Sequence, residues 1–315
     1  MIAIEEIRAA RERIAGAAVR TPLVRLPVAD APCEIWCKLE TLQPVNSFKI
    51  RGAANCVRAA DPALVSQGLV TASAGNAAQG VAWMARELGV PATIAVPEHA
   101  PATKLDAIAR LGGSVVKLPY ADWWQAIVTS RVEGVEGFFV HPVSDPAVMA
   151  GNGTIGLEIL EQAPDVTTVF APVSGGGLLG GLAAAIKQSR PEVKVIGVEP
   201  ELANDAQQSF RTGEVVTIPA EQAMRTIADG LRVQRLGART WPHIRAFVDD
   251  IVTVSEAEIA AAIRRIAGEA RLIAEPSGAV ATAGALASAA DPRVSVAVVS
   301  GGNIDREMLA EILAA

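Results

Sequence analysis

Short apolar runs and amphipathic stretches alternate along the whole chain. The apolar runs predict buried strands, and the amphipathic stretches between them predict helices. Strands that are apolar on both faces and separated by helices are typical of parallel sheets covered on both sides. The pattern therefore predicts an α/β fold of open, twisted, mostly parallel sheets with helices on both faces. The predicted strands are residues 34–38, 69–72, 93–96, 115–118, 169–173, 195–198, 251–254 and 294–299, and the clearest predicted helices are residues 101–111, 122–132, 148–162, 256–270 and 306–313.

Length and charge narrow the classes of partner. The chain has 315 residues, enough for two domains, and its formal net charge of −6 argues against nucleic acid or an anionic membrane as a partner. No apolar run approaches the roughly twenty residues of a membrane span. The charged helical pattern after Met1 is no signal peptide. Cys33, Cys37 and Cys56 cannot all pair with one another, and no Cys/His cluster has zinc spacing, so we expect a reducing, cytoplasmic location.

Lys49 is the first candidate for chemistry. It stands between two apolar residues, Phe48 and Ile50, just ahead of an Arg-Gly-Ala sequence that indicates the start of a helix. Partial burial disfavours the ammonium form, so the neutral amine could form a Schiff base with an aldehyde. The segment alone is weak support, because most lysines are solvated charges.

Residues 73–80 form a small-residue turn between a predicted strand and a predicted helix. They read Ser-Ala-Gly-Asn-Ala-Ala-Gln-Gly. Backbone N–H groups exposed at the start of a helix suit a carboxylate or a phosphate. The structural alternative is a tight corner that needs Gly75 for its backbone angles.

Residues 174–181, Ser-Gly-Gly-Gly-Leu-Leu-Gly-Gly, form a second turn of this kind. Consecutive glycines cost backbone entropy, so we interpret them as a loop that wraps closely around a phosphate rather than as a product of packing. Gly175, Gly177 and Gly180 also satisfy G-x-G-x-x-G, and Glu199 follows at the spacing of a ribose-binding acid. An NAD-dependent dehydrogenase is therefore an alternative, although it explains neither Lys49 nor the turn at Asn76.

Together these segments resemble the pyridoxal-phosphate enzymes of the tryptophan synthase β-like fold (fold type II), and among them the threonine/serine dehydratase and serine racemase branch. The resemblance covers nearly the whole chain. It implies two sheets in a discontinuous arrangement, with a large domain from residues 1–60 and 142–315 and a small domain from residues 61–141. Further matching segments follow in the family's order at residues 21–23, 38–40, 43–45, 142–147, 151–158, 226–231, 275–278 and 300–303.

The resemblance also implies a role for each matching residue. Lys49 and Ser73 would be the catalytic residues: Lys49 binds pyridoxal 5'-phosphate covalently and later takes the substrate's α-proton, and Ser73 helps to hold the substrate carboxylate. Ser300 would meet the pyridine nitrogen with a neutral hydroxyl, which suits elimination better than transamination. Glu275 would lie near the ring, with a solvated loop acid as the alternative. The implied cofactor-binding residues are Phe48, Lys49, Asn76, Gly175, Gly176, Gly177, Leu178, Glu275 and Ser300, and the implied substrate-binding residues are Ser73, Ala74, Gly75, Asn76 and Ala77.

Two alanines bear on the reaction and its substrate. Serine racemases carry a second serine where this chain has Ala74, and that serine supplies a proton on the opposite face of the substrate. Ala74 therefore indicates a dehydratase with weak racemisation. Ala77 stands where threonine dehydratases typically have histidine, and its small side chain leaves the usual preference for threonine open.

Glu199, Ala203 and Asp205 match the family's divalent-cation site. Two carboxylates and a backbone carbonyl would give the oxygen ligands that Mg²⁺ or Ca²⁺ prefers. The alternative is a solvated acidic loop after a strand. No motif includes His99, His141 or His243, and we expect these histidines to be structural.

The resemblance implies an ammonia-lyase that converts a β-hydroxy-α-amino acid, most simply L-threonine or L-serine, to a 2-keto acid and ammonia. Alternatives are a substrate with a larger β-substituent, such as 3-hydroxyaspartate or phenylserine, and a serine racemase. The dehydrogenase and a non-catalytic amino-acid sensor are alternatives of other classes. We expect a homodimer or higher homo-oligomer. The chain ends at Ala315, soon after the Ser300 segment, so we expect no regulatory domain and no control by isoleucine.

Overall fold

The computed structural model describes residues 1–288 and 294–315. The strands are Leu23–Arg25 (β1), Glu34–Leu39 (β2), Leu69–Ala72 (β3), Ala92–Pro97 (β4), Ser114–Leu118 (β5), Phe138–Phe139 (β6), Val166–Pro172 (β7), Lys194–Pro200 (β8), Asp250–Val254 (β9) and Val294–Val299 (β10). The helices are Ile4–Arg13 (α1), Lys49–Ala59 (α2), Pro62–Val65 (α3), Asn76–Leu88 (α4), Ala102–Arg110 (α5), Tyr120–Thr129 (α6), Pro146–Gln162 (α7), Gly177–Ser189 (α8), Asp205–Thr212 (α9), Ala220–Ala223 (α10), Trp241–Phe247 (α11), Glu256–Ala270 (α12), Pro276–Ala287 (α13) and Arg306–Ala314 (α14), with 3-10 turns at Glu40–Leu42, Glu201–Ala203 and Asp229–Leu231. Of the helices in these two ranges, none combines the length and apolar character needed to cross a membrane.

The strands form two sheets. Six strands pair in the order β1-β2-β10-β7-β8-β9, and four pair in the order β5-β4-β3-β6. Every pair is parallel except β1 with β2. The predicted α/β fold with two mostly parallel sheets is confirmed.

Both faces of the six-stranded sheet are buried, as the continuous apolar runs predict. Along β10, Val296 and Val298 pack in a core with α7 and α8, whereas Ala297 and Val299 pack in a core with α12 and α13. Successive side chains of a strand point to opposite faces, so a strand buried on both sides is apolar at most positions. The exception in β10 is Ser295, which is buried and whose hydroxyl accepts a hydrogen bond from the Cys33 thiol at 3.3 Å. Helices on both faces therefore follow from the sequence of β10.

Some element boundaries differ from the prediction. Helix α6 ends at Thr129 rather than near residue 132, because Ser130 adopts a left-handed conformation (φ 53°) and caps the helix with its backbone N–H. Helix α7 begins at Pro146, since the Asp145 side chain accepts hydrogen bonds from the amides of Ala147 and Val148. The sequence pattern also missed β1 and the two-residue strand β6.

Helices α2, α7 and α8 pack with their backbones in close approach. A β-carbon at Gly151 of α7 would collide with the carbonyl oxygen of Arg51 in α2, and one at Gly181 of α8 would collide with that of Met149 in α7. A β-carbon at Gly153 would lie only 2.8 Å from the carbonyl oxygen of Gly181. Glycine at these positions therefore fixes how near α2 and α8 stand to α7.

A buried charge network holds two of these helices, α2 and α7, to the large sheet. Arg51 forms two hydrogen bonds with the carboxylate of Glu40, at 2.7 and 2.9 Å, and two with that of Glu158, at 2.7 and 2.9 Å. Lys38 of β2 donates to Glu158 at 2.6 Å and to the Thr21 carbonyl oxygen at 2.6 Å. Although burial opposes ionisation of Glu40, the charge and hydrogen bonds of Arg51 hold the pKa of that carboxyl below its usual value. Two cations face two anions, and each is hydrogen-bonded, which burial of charge requires.

We expect Arg51→Leu to lower the free energy of unfolding by about 3–5 kcal/mol, because it leaves two buried carboxylates without their partner. Urea denaturation measures the change. Arg265→Leu is the matched control: Arg265 makes an equally close pair of bonds to Asp30, at 2.7 and 2.8 Å, but both side chains are exposed. Its loss should be much smaller, since water screens an exposed pair. Equal losses of unfolding free energy in the two variants would show that burial does not make the Arg51 contacts more stabilising than those of Arg265.

Candidate active site

Loops from both sheets meet at the start of α2. The loop after β10 runs along the segment that precedes the helix: the Phe48 amide donates to the Ser300 carbonyl oxygen at 3.0 Å, and the Gly302 amide donates to the Asn46 carbonyl oxygen at 2.9 Å. The loop after β3 reaches the same place through Asn76. In parallel sheets, ligands bind outside the carboxyl ends of the strands, and these loops lie there.

Lys49 is the first residue of α2, and its side chain is half-buried. Its Nζ donates to the carbonyl oxygen of Pro142 at 3.0 Å and lies 5.1 Å from the centre of the Phe48 ring. Burial lowers the pKa of this amine to about 8, and the charge of Glu275 partly opposes the change. Lys49 thus has the weakened basicity that attack on an aldehyde needs.

The glycine loop, residues 174–177 between β7 and α8, corrects the sequence interpretation. Packing does require its glycines: a β-carbon at Gly175 would lie 2.6 Å from Val143 Cγ1, and one at Gly177 would collide with the Val143 carbonyl oxygen. Gly176 has a φ of 91°, and a β-carbon there would lie 2.7 Å from Thr240 Oγ1. The number of glycines is therefore no argument for a phosphate.

What suits the glycine loop to an anion is its place at the start of a helix. The first amides of α8, including those of Gly177 and Leu178, have no carbonyl one turn earlier in the helix, and the helix dipole is positive there. The Gly175 carbonyl oxygen is turned the other way, since it accepts from Thr240 Oγ1 at 2.6 Å and from the Gly237 amide at 3.1 Å. The loop can hold a phosphate by its main chain.

The turn from Ser73 to Ala77 leads from β3 into α4. The Gly75 amide donates to Ser73 Oγ at 3.2 Å, and α4 begins at Asn76. Gly75 has a φ of −108°, and a β-carbon there would meet nothing within 4 Å, so a left-handed corner does not account for this glycine. Ser73 and Ala74 are half-buried, whereas Ala77 is buried. Open space beside the first amides of α4 suits a substrate carboxylate.

Asn76 links three loops by hydrogen bonds. Its Nδ2 donates to Glu275 Oε1 at 2.6 Å, and its Oδ1 accepts from Asn303 Nδ2 at 2.7 Å. Glu275 is buried, so the alternative of a solvated loop acid is wrong. Burial and the nearby charge of Asp229 raise the pKa of Glu275 to about 7. Asn76, which the resemblance places against the cofactor, is thus held by the side-chain amide of Asn303 and by the carboxyl of Glu275, whose pKa lies near neutral.

Ser300 follows β10 directly and is buried. Its hydroxyl donates to the Ser277 carbonyl oxygen at 3.4 Å, a long hydrogen bond. The amide of Gly230 donates to Ser277 Oγ at 2.9 Å, which ties the segment of residues 226–231 to the start of α13. The weakly held hydroxyl of Ser300 remains able to meet a ring nitrogen.

Glu199, near the end of β8, and Asp205, the first residue of α9, form a buried acid pair, which contradicts the alternative of a solvated loop. Glu199 accepts from the amides of Ala206 and Gln207 at 3.1 and 2.8 Å. Neither side-chain oxygen of Asp205 has a hydrogen bond to any other described residue. Burial raises the pKa of Asp205 to about 8, and burial together with the Asp205 charge raises that of Glu199 well above its usual value.

A cation would satisfy this acid pair. Within residues 1–288 and 294–315, no group of three or more His, Cys, Asp or Glu side chains could hold a metal ion. A site here would therefore rest on Glu199, Asp205 and the backbone carbonyl of Ala203, which is buried beside them in the 3-10 turn. Oxygen ligands of this kind fit Mg²⁺ or Ca²⁺.

An ion pair that no sequence motif indicated joins a helix beside the four-stranded sheet to a segment beside the six-stranded sheet. Lys104 of α5, beside the four-stranded sheet, lies 2.5 Å from Asp229, which belongs to the segment next to Ser277. Both side chains are about one-third exposed, at 36% and 32%. The charges of Lys104 and Asp229 both act on the pKa of Glu275, so the pair borders the candidate site.

His141, which belongs to no sequence motif and is expected to be only structural, lies near Lys49. Its Nδ1 accepts from the amides of Val143 and Ser144 at 3.1 and 3.0 Å, within the segment whose Pro142 carbonyl oxygen contacts Lys49. The sequence His-Pro-Val before the Asp145 cap of α7 was the only local signal.

Known proteins match this chain over almost its whole length. The family model for pyridoxal-phosphate dependent enzymes matches residues 14–301. The L-threonine ammonia-lyase of Thermotoga maritima is 41% identical over 318 residues, an alignment that covers 99% of this chain and 78% of the relative. A serine racemase of Oryza sativa subsp. indica is 38% identical over 321 residues, with coverage of 98% and 93%. The solved structure of maize serine racemase has a TM-score of 0.91 and 36% identity, with coverage of 99% and 97%.

These similarities confirm the resemblance to the threonine dehydratase and serine racemase branch, and they favour pyridoxal phosphate over the nicotinamide alternative. Glu199, which that alternative used as the ribose-binding acid, is engaged elsewhere: its carboxylate accepts hydrogen bonds from the amides of Ala206 and Gln207 in α9. The chain belongs to the family of pyridoxal-phosphate dependent enzymes.

Proposed function

We propose that this protein is an ammonia-lyase that eliminates water from a β-hydroxy-α-amino acid. The resulting enamine tautomerises and is hydrolysed, taking up one water, to a 2-keto acid and ammonia. One observation carries the proposal: residues 142–143 contact both halves of the candidate cofactor site. Pro142 accepts a hydrogen bond from Lys49, and Val143 packs against Gly175 and Gly177. An amine of lowered pKa and an anion-binding loop are thus joined by one short segment, as pyridoxal phosphate would need. The threonine ammonia-lyase relative supports the same reaction.

Bound pyridoxal phosphate withdraws electrons from the substrate's α-carbon and so makes the α-proton acidic. Lys49 would hold the cofactor covalently and, when released, take the α-proton with its neutral amine. The amides of the glycine loop would bind the phosphate through their dipoles, without a cationic side chain. Phe48 would pack beside the ring, Asn76 would donate to its oxygen, and Ser300 would meet its nitrogen with a neutral hydroxyl.

The turn from Ser73 to Ala77 would bind the substrate. Its first helical amides and the Ser73 hydroxyl offer donors to a carboxylate, in the open space beside Gly75. Ala74 bears no proton, so the face of the substrate opposite Lys49 would lack a proton donor from this position. Elimination would then outrun racemisation, although serine racemases are among the relatives.

We propose L-threonine or L-serine as substrate, with a larger β-substituent such as that of 3-hydroxyaspartate or phenylserine as the alternative. The small, buried side chain of Ala77 at the start of α4 supports the alternative, because it occupies little of the space beside the turn. Keto-acid release from a panel of β-hydroxy amino acids separates the two.

We also propose that Glu199, Ala203 and Asp205 hold Mg²⁺ or Ca²⁺, and that the ion stabilises the fold rather than taking part in bond making. The unpaired, buried oxygens of Asp205 support this site.

Domain organisation and assembly are proposals of the same kind. The four-stranded sheet lies within residues 61–141 and the six-stranded sheet in the rest, which supports the predicted division into a small and a large domain. We propose a cytoplasmic homodimer or higher homo-oligomer. Cys33, Cys37 and Cys56, all within the described residues, are free thiols, which supports a reducing location.

We expect Lys49→Ala to abolish both turnover and the visible absorbance of covalently held cofactor, because no other group replaces the amine. Attachment of cofactor to the wild-type apoenzyme should accelerate with pH through about 8, where the Lys49 amine loses its proton. The exposed lysine of β5, Lys117, supplies the control: Lys117→Ala should retain both properties. A colourless wild type that binds NAD would favour the dehydrogenase, and a coloured one that releases no ammonia would favour an amino-acid sensor.

We expect Ala74→Ser to raise racemisation of serine, by up to about a hundredfold, because a general acid would then face the substrate. Chiral chromatography of serine beside a pyruvate assay measures the ratio of racemisation to elimination. Ala74→Gly alters the same position without adding a hydroxyl and should leave the ratio low. A wild type that interconverts L- and D-serine as fast as it forms pyruvate would refute the role given to Ala74.

We expect Mg²⁺ or Ca²⁺ to raise the melting temperature, and to raise it more at pH 9 than at pH 6. Burial raises the pKa of Asp205 to about 8, so the metal-free protein loses stability as pH rises through that value and the carboxyl ionises. A cation bound only to the folded state offsets this loss.

Asp205→Ala should remove the thermal response to the ion, whereas Glu201→Ala, an exposed acid of the same turn, should keep it. Chelation should lower activity only in part. A wild-type melting temperature indifferent to both metal and chelator would eliminate the cation site.

A further inference from the structure

The segment between β6 and α7 is organised around one histidine side chain. His141 Nδ1 accepts hydrogen bonds from the amides of Val143 and Ser144, at 3.1 and 3.0 Å, so the chain folds back over the ring. Asp145 then caps α7 by accepting from the amide of Ala147 at 2.7 Å. The course of these residues is therefore set at its start by His141 and at its end by Asp145.

This segment contacts both anchors of the candidate cofactor site. The Pro142 carbonyl oxygen receives the hydrogen bond from Lys49 Nζ at 3.0 Å. The side chain and carbonyl oxygen of Val143 occupy the space that β-carbons at Gly175 and Gly177 would need. A change in the course of the segment would thus move the lysine contact and the glycine loop together.

His141 has the charge state that its contacts demand. An Nδ1 that accepts two N–H groups must keep its lone pair, so the ring must be neutral, with its proton on Nε2. Nε2 lies 3.3 Å from Ser144 Oγ, to which it can donate. Burial lowers the pKa of His141 to about 4; Asp145 opposes this, whereas the charges of Arg239 and Lys49 add to it. The ring is therefore neutral throughout the neutral pH range.

We propose that His141 is a positioning residue: it fixes the positions of Lys49 and the glycine loop relative to each other, so that both can bind the same cofactor molecule. This inference rests on the proposed function. The ring reaches the reaction only through the backbone: it holds the amides of residues 143 and 144, and these fix the carbonyl oxygen that faces Lys49 and the surface that backs the glycine loop. The acceptor atom at the Nδ1 position, rather than the imidazole's acid–base chemistry, carries this role.

The test compares an isosteric acceptor with its removal. In His141→Asn the amide oxygen replaces Nδ1, whereas His141→Ala leaves the two amides without an acceptor. Binding of pyridoxal phosphate and of pyridoxal to each apoenzyme is measured by visible absorbance. Pyridoxal phosphate uses both anchors, whereas pyridoxal, which lacks the phosphate, uses Lys49 alone.

We expect His141→Ala to bind pyridoxal phosphate roughly tenfold or more weaker than wild type, since two half-buried amides lose their acceptor. The loss of affinity of His141→Ala for pyridoxal should be smaller. The affinity of His141→Asn should lie within about threefold of wild type for both ligands. If the alanine variant does not fold, His141→Gln takes its place, because its longer side chain displaces the acceptor from the Nδ1 position.

His243 provides a matched control. Its ring also accepts a hydrogen bond from a backbone amide, that of Ile2 at 2.8 Å, but this bond ties down the amino terminus. His243→Ala should lower the melting temperature and leave the ratio of the two affinities unchanged. Wild-type affinities in His141→Ala, or an equal loss in His141→Asn and His141→Ala, would overturn the positioning role. A wild type that attaches neither ligand at Lys49 would overturn the proposed function, and this inference with it.

Discussion

The close approach of α2 and α8 to α7 is the constraint on which the candidate site depends. Helix α2 begins at Lys49 and α8 begins at Gly177, so the spacing of these helices sets the spacing of the amine and the glycine loop. Glycine at 151 and 181 lets the backbones touch, and any larger residue would force them apart. Because protein interiors are close-packed, such a displacement would pass along the rigid helices to their ends. Glycines in the middle of these helices therefore help to set the distance between Lys49 and the glycine loop, which lie at the helix starts.

Buried charge is handled in two opposite ways in this chain. Around Arg51, cations and carboxylates are matched and each is hydrogen-bonded, so the network can fix α2 without an unpaired charge. At Glu199 and Asp205 two carboxylates are buried with no cation beside Asp205 among the described residues, and the pKa of each is raised. Protons or a metal ion on the acids would stabilise an arrangement of the second kind, because burial disfavours the uncompensated charges. Charge balance thus distinguishes the network around Arg51 from the acid pair, and the imbalance at the acid pair supports the cation proposed there.

Local sequence pattern was sufficient for the regular elements and insufficient for contacts between distant segments. The predicted bounds of β3, α12 and β10 match the structure, because each carries a continuous apolar run or a capped amphipathic pattern. Motifs also located the site loops, although the three glycines of residues 175–177 are explained by packing against Val143 and Thr240. The pair of Lys104 and Asp229 and the role of His141 left no such pattern. Each depends on which groups the fold brings together, and a lone lysine or histidine in the sequence carries no sign of its partner.

Burial shifts the pKa of two titratable groups of the candidate site, Lys49 and Glu275, in opposite directions. Burial lowers the pKa of Lys49 to about 8 and raises that of Glu275 to about 7, and each change shifts its group toward the neutral form. Both groups can therefore change protonation state near neutral pH, whereas in water the amine would stay charged and the acid ionised there. A glycine loop that binds an anion by amide dipoles adds no fixed cation that would disturb this balance. Neutral His141 adds no charge either.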